Sequence, residues 1–337
     1  MHSGYAGQRE GGPYFDDLST GQVFDWAPSV TLSSGLAAAH QAIVGDRLRL
    51  ALDAVLCTAV TGVPGPLAHP ALVCDVAIGQ STLATQRVKA NLFYRGLTFH
   101  RFPVIGDTIY TRTEVVGLRA NSPRPGRAPT GMAALRMITI DQADRLVLDF
   151  YRCAMLPAGP DWRPSGRRGD DLSAIGADVP GPAADPTAHW DGDVFRNRVP
   201  GPHFHTGMAG AVLRSTGDVV SGAPELARLT ANIAATHHDW RVGGGRLVYG
   251  GHTIGLALAQ AARLLPNLVT VLGWQSCDHT GPVHQGDTLF SELHVESAES
   301  IGHGGVLGLR SLVYAAGETA GEPDRPVLDW RFRALHF

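Results

Sequence analysis

Residues 102–115 read F-P-V-I-G-D-T-I-Y-T-R-T-E-V, and residues 281–295 read G-P-V-H-Q-G-D-T-L-F-S-E-L-H-V. The shared triplets, Gly106-Asp107-Thr108 and Gly286-Asp287-Thr288, stand 180 positions apart. Val147-Leu148-Asp149-Phe150 and Val327-Leu328-Asp329-Trp330 repeat at the same spacing and in the same order. Two matches at one offset imply duplication of a unit of about 150 residues, an ordinary domain size.

Working outward, Pro157, Pro160, Pro164, Pro180, Pro182 and Pro186 crowd the stretch between the copies. Proline at that density breaks helices and sheets alike, so 157–189 is expected to be a linker crossing the surface. Units 1–156 and 190–337 remain, the first read as non-catalytic and the second as carrying the chemistry. Within the second, Thr253 to Leu265 is rich in Ala and Leu and stops before Pro266, which predicts a buried helix. Ala71 to Gln86 is its apolar counterpart. Strands are expected at Thr108–Val116, Met132–Ile140 and Arg145–Tyr151. Leu289–Val295, Gly305–Tyr314 and Val327–Arg333 answer them. A long helix followed by an antiparallel meander gives an α+β fold in each half, with the sheet wrapped around the helix.

Composition narrows the function. A chain that is 44% hydrophobic and 18% charged can bury a large core. A net charge of -3 offers no electrostatic case for nucleic acid or an anionic membrane surface. Cys57, Cys74, Cys153 and Cys277 are widely spaced, which fits buried, reduced thiols rather than a disulfide framework or zinc site. With no signal-like N-terminus and no apolar run of about 18 residues, the expectation is a soluble cytoplasmic protein.

The segment Gln86–Val116 and the P-V-x-x-G-D-T-L motif ending at Leu289 resemble the MaoC-like acyl-CoA hydratases and dehydratases. The mesaconyl-CoA hydratase branch is the nearest. The resemblance spans both halves and implies a double hotdog, two fused hotdog units. It also implies an acyl-CoA thioester as substrate, no cofactor, and a place in fatty-acid metabolism. That family's motif is roughly Leu-Thr-Gly-Asp-x-Asn-Pro-Leu-His-x-Asp. Its best match here is Leu229 to Asp239, with Asn232 at the aspartate position and His237 at the histidine. In the first half Asp46 keeps the acid, but Ala51 stands where the histidine belongs, so an imidazole is expected only in the second half.

Hydration of an α,β-unsaturated thioester needs a positioned water, a group to manage its protons, and stabilisation of an enolate-like oxygen. Histidine titrates near operating pH, which suits His237 to the proton work. Asn232 cannot be a base, but its carbonyl and NH2 can hold a water. Tyr249-Gly250-Gly251-His252-Thr253 precedes the apolar helix, where free N–H groups and the helix dipole favour an oxyanion. Glycines there admit a ligand close to the backbone. The apolar run places Val73-Cys74-Asp75-Val76 opposite them in the first half, bulkier and with a repelling carboxylate.

Plainer roles compete. His237 is also read as a core or surface histidine, Asn232 as a turn residue, Gly250-Gly251 as an ordinary helix start and Thr253 as an N-cap. No zinc-hydrolase spacing organises the many histidines, Gly243-Gly244-Gly245 reads as a turn, and the basic run Arg163–Arg168 as a solvated face. A non-catalytic acyl-thioester binder and an acyl-CoA thioesterase stand as alternatives to the hydratase. A fused pair suits a monomer as well as a homodimer.

Overall fold

The repeated Gly-Asp-Thr triplets are repeated turns. Gly106 and Gly286 adopt φ of 113° and 103°, left-handed conformations that glycine alone takes readily. The following aspartate folds back: Asp107 Oδ2 accepts the Val104 N–H at 2.9 Å, and Asp287 Oδ2 accepts the His284 N–H at 2.9 Å. Each turn launches a long strand. In the second repeated motif, Asp149 takes Arg136 in a two-pronged ion pair (3.0 and 2.6 Å), and Asp329 takes Arg310 likewise (2.9 and 2.7 Å).

The computed structural model describes residues 11–163, 169–177, 181–243, 245, 247–302, 304–317, 319 and 321–337. Most of the basic run and Gly244 lie outside these residues. The first half contributes helices α1 (Ser34–Val44) and α2 (Pro70–Gln80) and strands β1 (Ala90–Phe99), β2 (Thr108–Ala120), β3 (Thr130–Asp141) and β4 (Leu146–Pro157). The second contributes helix α3 (Gly250–Leu264) and strands β5 (Leu268–His279), β6 (Thr288–Ile301), β7 (Gly304–Ala315) and β8 (Arg325–His336). The eight strands form one antiparallel sheet in the order β2-β3-β4-β1-β5-β8-β7-β6, a sequence that reads the same from either half. Short strands at Val23–Phe24 and Val30–Thr31 cover one edge, and Val212–Arg214 and Asp218–Val219 cover the other.

The halves join where β1 pairs with β5, with Tyr94 opposite Cys277 and Leu97 opposite Trp274. Inside the curl lie α2 and α3, packed on one another. Every residue of α2 is buried, as is the run Gly251–Ala262 of α3, so the sheet wraps two apolar helices that are hidden on all sides. This is the α+β double hotdog that the resemblance implies. All four cysteines are free and buried. No helix among the described residues is long and apolar enough to cross a membrane.

The six expected strands are all present, each longer by a few residues. Strands β1 and β5 are additional. The register of β1 slips around Gly96, whose φ is 60°, and β5 follows α3 within one nearly continuous apolar stretch, so neither shows a clean alternation. Helix α3 starts at Gly250 rather than Thr253. Tyr249 holds the N-cap position without a side-chain cap, so Thr253 is inside the helix and caps nothing. Between β4 and residue 189, the described residues form no helix or strand. Leu172 is buried on Ala134 and Cys153, on the outer face of β3 and β4.

Candidate active site

The motif segment after Leu229 is bound to the first half as much as to the second. Gly79 of α2 approaches it so closely that a Cβ there would lie 1.8 Å from the Thr230 carbonyl oxygen. Ile233 N–H donates to Thr82 Oγ1 at 3.0 Å, and Ala235 N–H donates to the Gln86 carbonyl at 2.9 Å. The segment thereby walls a cavity of about 280 Å3 between the halves. From the second half come Asn232, Ala234, His237, Tyr249, Gly250, Thr253, His279 and Val283. From the first come Ile78, Thr82, Val88, Asn91, Tyr94 and Arg152.

His237 is half-buried on this wall, and its Nδ1 lies 3.2 Å from the Leu247 carbonyl. A carbonyl only accepts, so Nδ1 carries the proton and Nε2 keeps its lone pair. Burial pushes the imidazole down to about 4, Leu247 opposes, and the neighbouring His238 and Arg152 reinforce the fall. The ring is therefore neutral, and basic at Nε2, at physiological pH. His238 serves structure: its Nε2 donates to the Asn232 carbonyl at 2.6 Å, pinning the segment.

Asn232 is buried, and its Oδ1 accepts the Ala234 N–H at 3.0 Å. The turn role and the site role thus coincide in one residue. One lone pair of Oδ1 is thereby engaged and a second is left, while Nδ2 has no partner among the described residues. Asn232 lines the cavity with an amide whose NH2 is unpaired.

The five residues at the start of α3 divide. Tyr249, Gly250 and Thr253 line the cavity, whereas Gly251 and His252 do not. A Cβ on Gly251 would fall 2.0 Å from Asp75 Oδ1, so its lack of a side chain admits Asp75 of α2. Tyr249 reinforces this contact by donating its hydroxyl to the Asp75 carbonyl at 3.1 Å. His252 is wholly buried, with neither ring nitrogen bonded, and burial holds it at about 4. The N–H groups of Gly250 and Gly251 have no hydrogen-bond partner among the described residues, as expected for the first turn of a helix.

Helices α2 and α3 both begin 180 positions apart, so Gly250-Gly251 faces Pro70-Ala71 in the repeat rather than Val73–Val76. Nor does the first half lack an imidazole. His69, the N-cap of α2, accepts the Ala71 N–H through Nδ1 and pairs with Asp46 through Nε2. Burial tends to raise the Asp46 carboxyl, but His69 and the backbone N–H groups outweigh it, and the net shift is downward. Nearby, Asp75 pairs with His40 at 3.3 Å. Burial raises the acid and lowers the base, which favours the uncharged forms of both. The histidine was missed because it reaches Asp46 from 23 residues away, outside any linear motif.

Also missed were Tyr94, Arg152 and His279, which sit on strands rather than in the motif. His279 is held at about 4 by burial, with Arg152 adding to the effect. The repeat itself carries their signal: positions 180 apart pair Tyr94 with Trp274, Arg152 with Phe332, and Phe99 with His279.

No family model matches the chain. The β-methylmalyl-CoA dehydratase of Chloroflexus aurantiacus is 26% identical over 96% of this chain and 91% of that protein. The mesaconyl-CoA hydratase of Cereibacter sphaeroides is 25% identical over 89% of this chain and 88% of that protein. A conserved hypothetical protein of Mycobacterium tuberculosis, solved as a double hotdog, is 80% identical. That match covers 98% of this chain and 100% of the other, with a TM-score of 0.96. This chain is a double-hotdog protein. Its relatives include CoA-thioester hydratases and dehydratases.

Against the MaoC-like motif, two departures acquire geometry. Asn232 replaces the aspartate and, as an amide, cannot act as a base. Ala231 replaces the glycine yet adopts φ of 56°, a left-handed conformation that an L-residue enters at a cost of roughly 1 kcal/mol. The turn demanded by the motif persists without the residue that forms it most cheaply.

Proposed function

We propose that this double hotdog adds water to the 2,3 double bond of an enoyl-CoA thioester, or removes it from the 3-hydroxyacyl-CoA. In this reading His237 is the proton-transfer group. The observation that carries the proposal is the locked His237 tautomer, with a basic Nε2 on a cavity that also meets the first turn of α3. Nε2 takes a proton from water as its oxygen bonds to C3, and the C2–C3 π electrons move onto the thioester oxygen as an enolate. The unpaired N–H at Gly250, with the positive end of the α3 dipole, stabilises that oxygen. The imidazolium then returns the proton to C2, which restores the thioester and the neutral histidine. Asn232 Nδ2 donates to the water oxygen and orients it, Thr253 and Tyr249 shape the thioester end, and His252 backs the wall from behind.

The first half (1–156) supplies the facing wall in this account, the second (190–337) supplies the motif, and 157–189 links them in a cytoplasmic protein. The test is turnover of pure protein on crotonyl-, longer enoyl- and mesaconyl-CoA. Loss of the conjugated thioester absorbance is followed together with free thiol, for wild type and His237→Ala. Hydration that disappears in the variant supports the proposal. Release of thiol instead identifies a thioesterase. Binding without either reaction identifies a thioester carrier in which the Asn232 replacement has abolished chemistry.

A further inference from the structure

Asp46 is the counterpart of Asn232 across the pseudo-twofold axis that relates the halves. Each follows a residue in the left-handed region, Gly45 at φ 62° and Ala231 at φ 56°. Each turns its Oδ1 back onto the N–H two residues on, Leu48 at 2.8 Å and Ala234 at 3.0 Å. Asn232 lines the cavity at His237, and Asp46 lines a second cleft, of about 800 Å3. Ala262 of α3 borders this cleft where Thr82, 180 positions earlier, borders the cavity. The cleft is therefore the twofold mate of the cavity, and the two have no lining residue in common.

The chemistry of the mate is inverted. A thioester would need free N–H groups at the start of α2, but Pro70 has none and the Ala71 N–H is taken by His69 Nδ1. Asp46 is occupied by His69 and by the N–H groups of Arg47 and Leu48. Positive charge stands in place of these groups: Arg47, Arg49, Arg198 and Arg263 all border the cleft. In the second half Ile233 and Ala235 hold the positions of Arg47 and Arg49, and in the first Leu83 holds that of Arg263. The fold does not require these arginines.

Arg263 is paired with Asp218. The guanidinium groups of Arg47, Arg49 and Arg198 have neither a carboxylate nor a hydrogen-bond partner among the described residues, and the Arg49 Nε is buried. Asp53, the other acid of the lining, caps the helix Ala54–Thr61, its Oδ1 accepting the Val55 and Leu56 N–H groups at 2.9 Å each. Three unpaired cations converging on one concave surface repel one another until an anion of more than one charge lies between them. Beside them Leu52 and Val55 are 49% and 74% exposed, an apolar shelf in the same cleft. The volume is that of a site for an organic ligand, well beyond a simple ion.

We infer that this cleft binds a nucleoside diphosphate, with the phosphates on Arg47, Arg49 and Arg198 and the base against Leu52 and Val55. The guanidinium fork matches phosphate oxygens, and the shelf covers one face of a planar base. The nucleotide end of CoA carries the same chemistry, so a free nucleotide and the tail of a thioester in the cavity must be told apart.

Isothermal titration calorimetry of the full chain with ADP, adenosine, inorganic pyrophosphate and butyryl-CoA does so. ADP is expected to bind once per chain, more weakly as salt is raised. Adenosine, without phosphates, and pyrophosphate, without a base, are each expected to bind at least about 10-fold more weakly. The double variant Arg47→Ser, Arg198→Ser removes two exposed side chains and should keep the wild-type melting temperature. Its ADP affinity should fall by about 10-fold or more, the scale of one charge-assisted hydrogen bond. Saturating butyryl-CoA should leave ADP binding in place. Absence of ADP binding at millimolar concentration overturns the inference, and so does an affinity unchanged in the double variant. Pyrophosphate binding as tightly as ADP reduces the cleft to an inorganic anion site and removes the nucleotide. Displacement of ADP by butyryl-CoA gives the arginines to the substrate's own tail and removes the separate site. Binding is read without turnover, so none of these results depends on the hydratase reading.

Discussion

Replacing Gly79 by alanine puts a methyl group into the backbone of the segment that carries Asn232. The added Cβ would stand 1.8 Å from the Thr230 oxygen, 2.8 Å from its carbonyl carbon and 3.2 Å from the Asn232 nitrogen. Real Cβ contacts essentially never fall below 3.0 Å, so helix α2 and the segment must separate by about 1.2 Å or more. Backbone meets backbone here, and no side-chain rotation relieves the clash. Overpacking of this kind costs about 1–3 kcal/mol. The bonds from Ile233 to Thr82 and from Ala235 to Gln86 straddle the contact, and weakening them adds about 1 kcal/mol. A displacement near 1 Å at a catalytic group lowers turnover by roughly 100-fold. Denaturant unfolding and the hydration rate measure the two effects separately. Gly35→Ala is the control, since its Cβ on the exposed first turn of α1 meets nothing nearer than 3.9 Å. Its expected effect is neutral, or stabilising by up to about 1 kcal/mol. A Gly79→Ala protein with wild-type stability and turnover would refute the argument that close approach of the halves positions the site.

Further expectations follow from the same geometry. His237 stays neutral down to about pH 4, so the acid limb of kcat/KM should fall near that pH; a limb near 6.5 would mean a solvated ring and a different base. His252 and His336 are wholly buried and held at about 4 by burial. As pH falls below 6.5 the unfolded chain binds protons that the native state refuses, so stability is lost between about 6.5 and 4, by about 2.7 kcal/mol per pH unit for the two. His252→Leu, the residue that α2 carries at the matching position 72, should remove about half of that slope in denaturant titrations at stepped pH. Ala231→Gly should stabilise the protein by about 0.5–1 kcal/mol by relieving its left-handed backbone, and an unchanged or lower unfolding midpoint would show that this turn is unstrained. Arg152→Met should unfold no more easily than wild type in the absence of ligand, since it removes a buried charge without a counterion; a loss of several kcal/mol would mark Arg152 as structural.

The sequence disclosed the architecture wherever one residue type performs a local task. Gly106 and Asp107 make their turn within four residues, and so do Gly286 and Asp287, so the repeat is visible in the chain. His237 and Asn232 were legible as members of a short motif, and the cavity does bring them together. What was illegible depends on neighbours distant in sequence. Tyr249 carries no capping side chain, so nothing marked the true start of α3. His69 meets Asp46, and Arg152 meets Ser81 and Thr85, only after the sheet has curled around α2. Comparing the halves position by position would have exposed Arg152, since arginine against phenylalanine at buried strand positions has no explanation in packing.

The joint between β1 and β5 has a consequence for how such a protein can change. In a dimer of identical units, any substitution appears at both related sites, and a buried guanidinium would be installed twice. Covalent fusion removes that constraint. Each side of the axis drifts alone, so one side can carry a buried charge where the other carries Trp274 and Phe332. The penalty of specialisation falls on one site, and the apolar side returns packing that helps the molecule tolerate it.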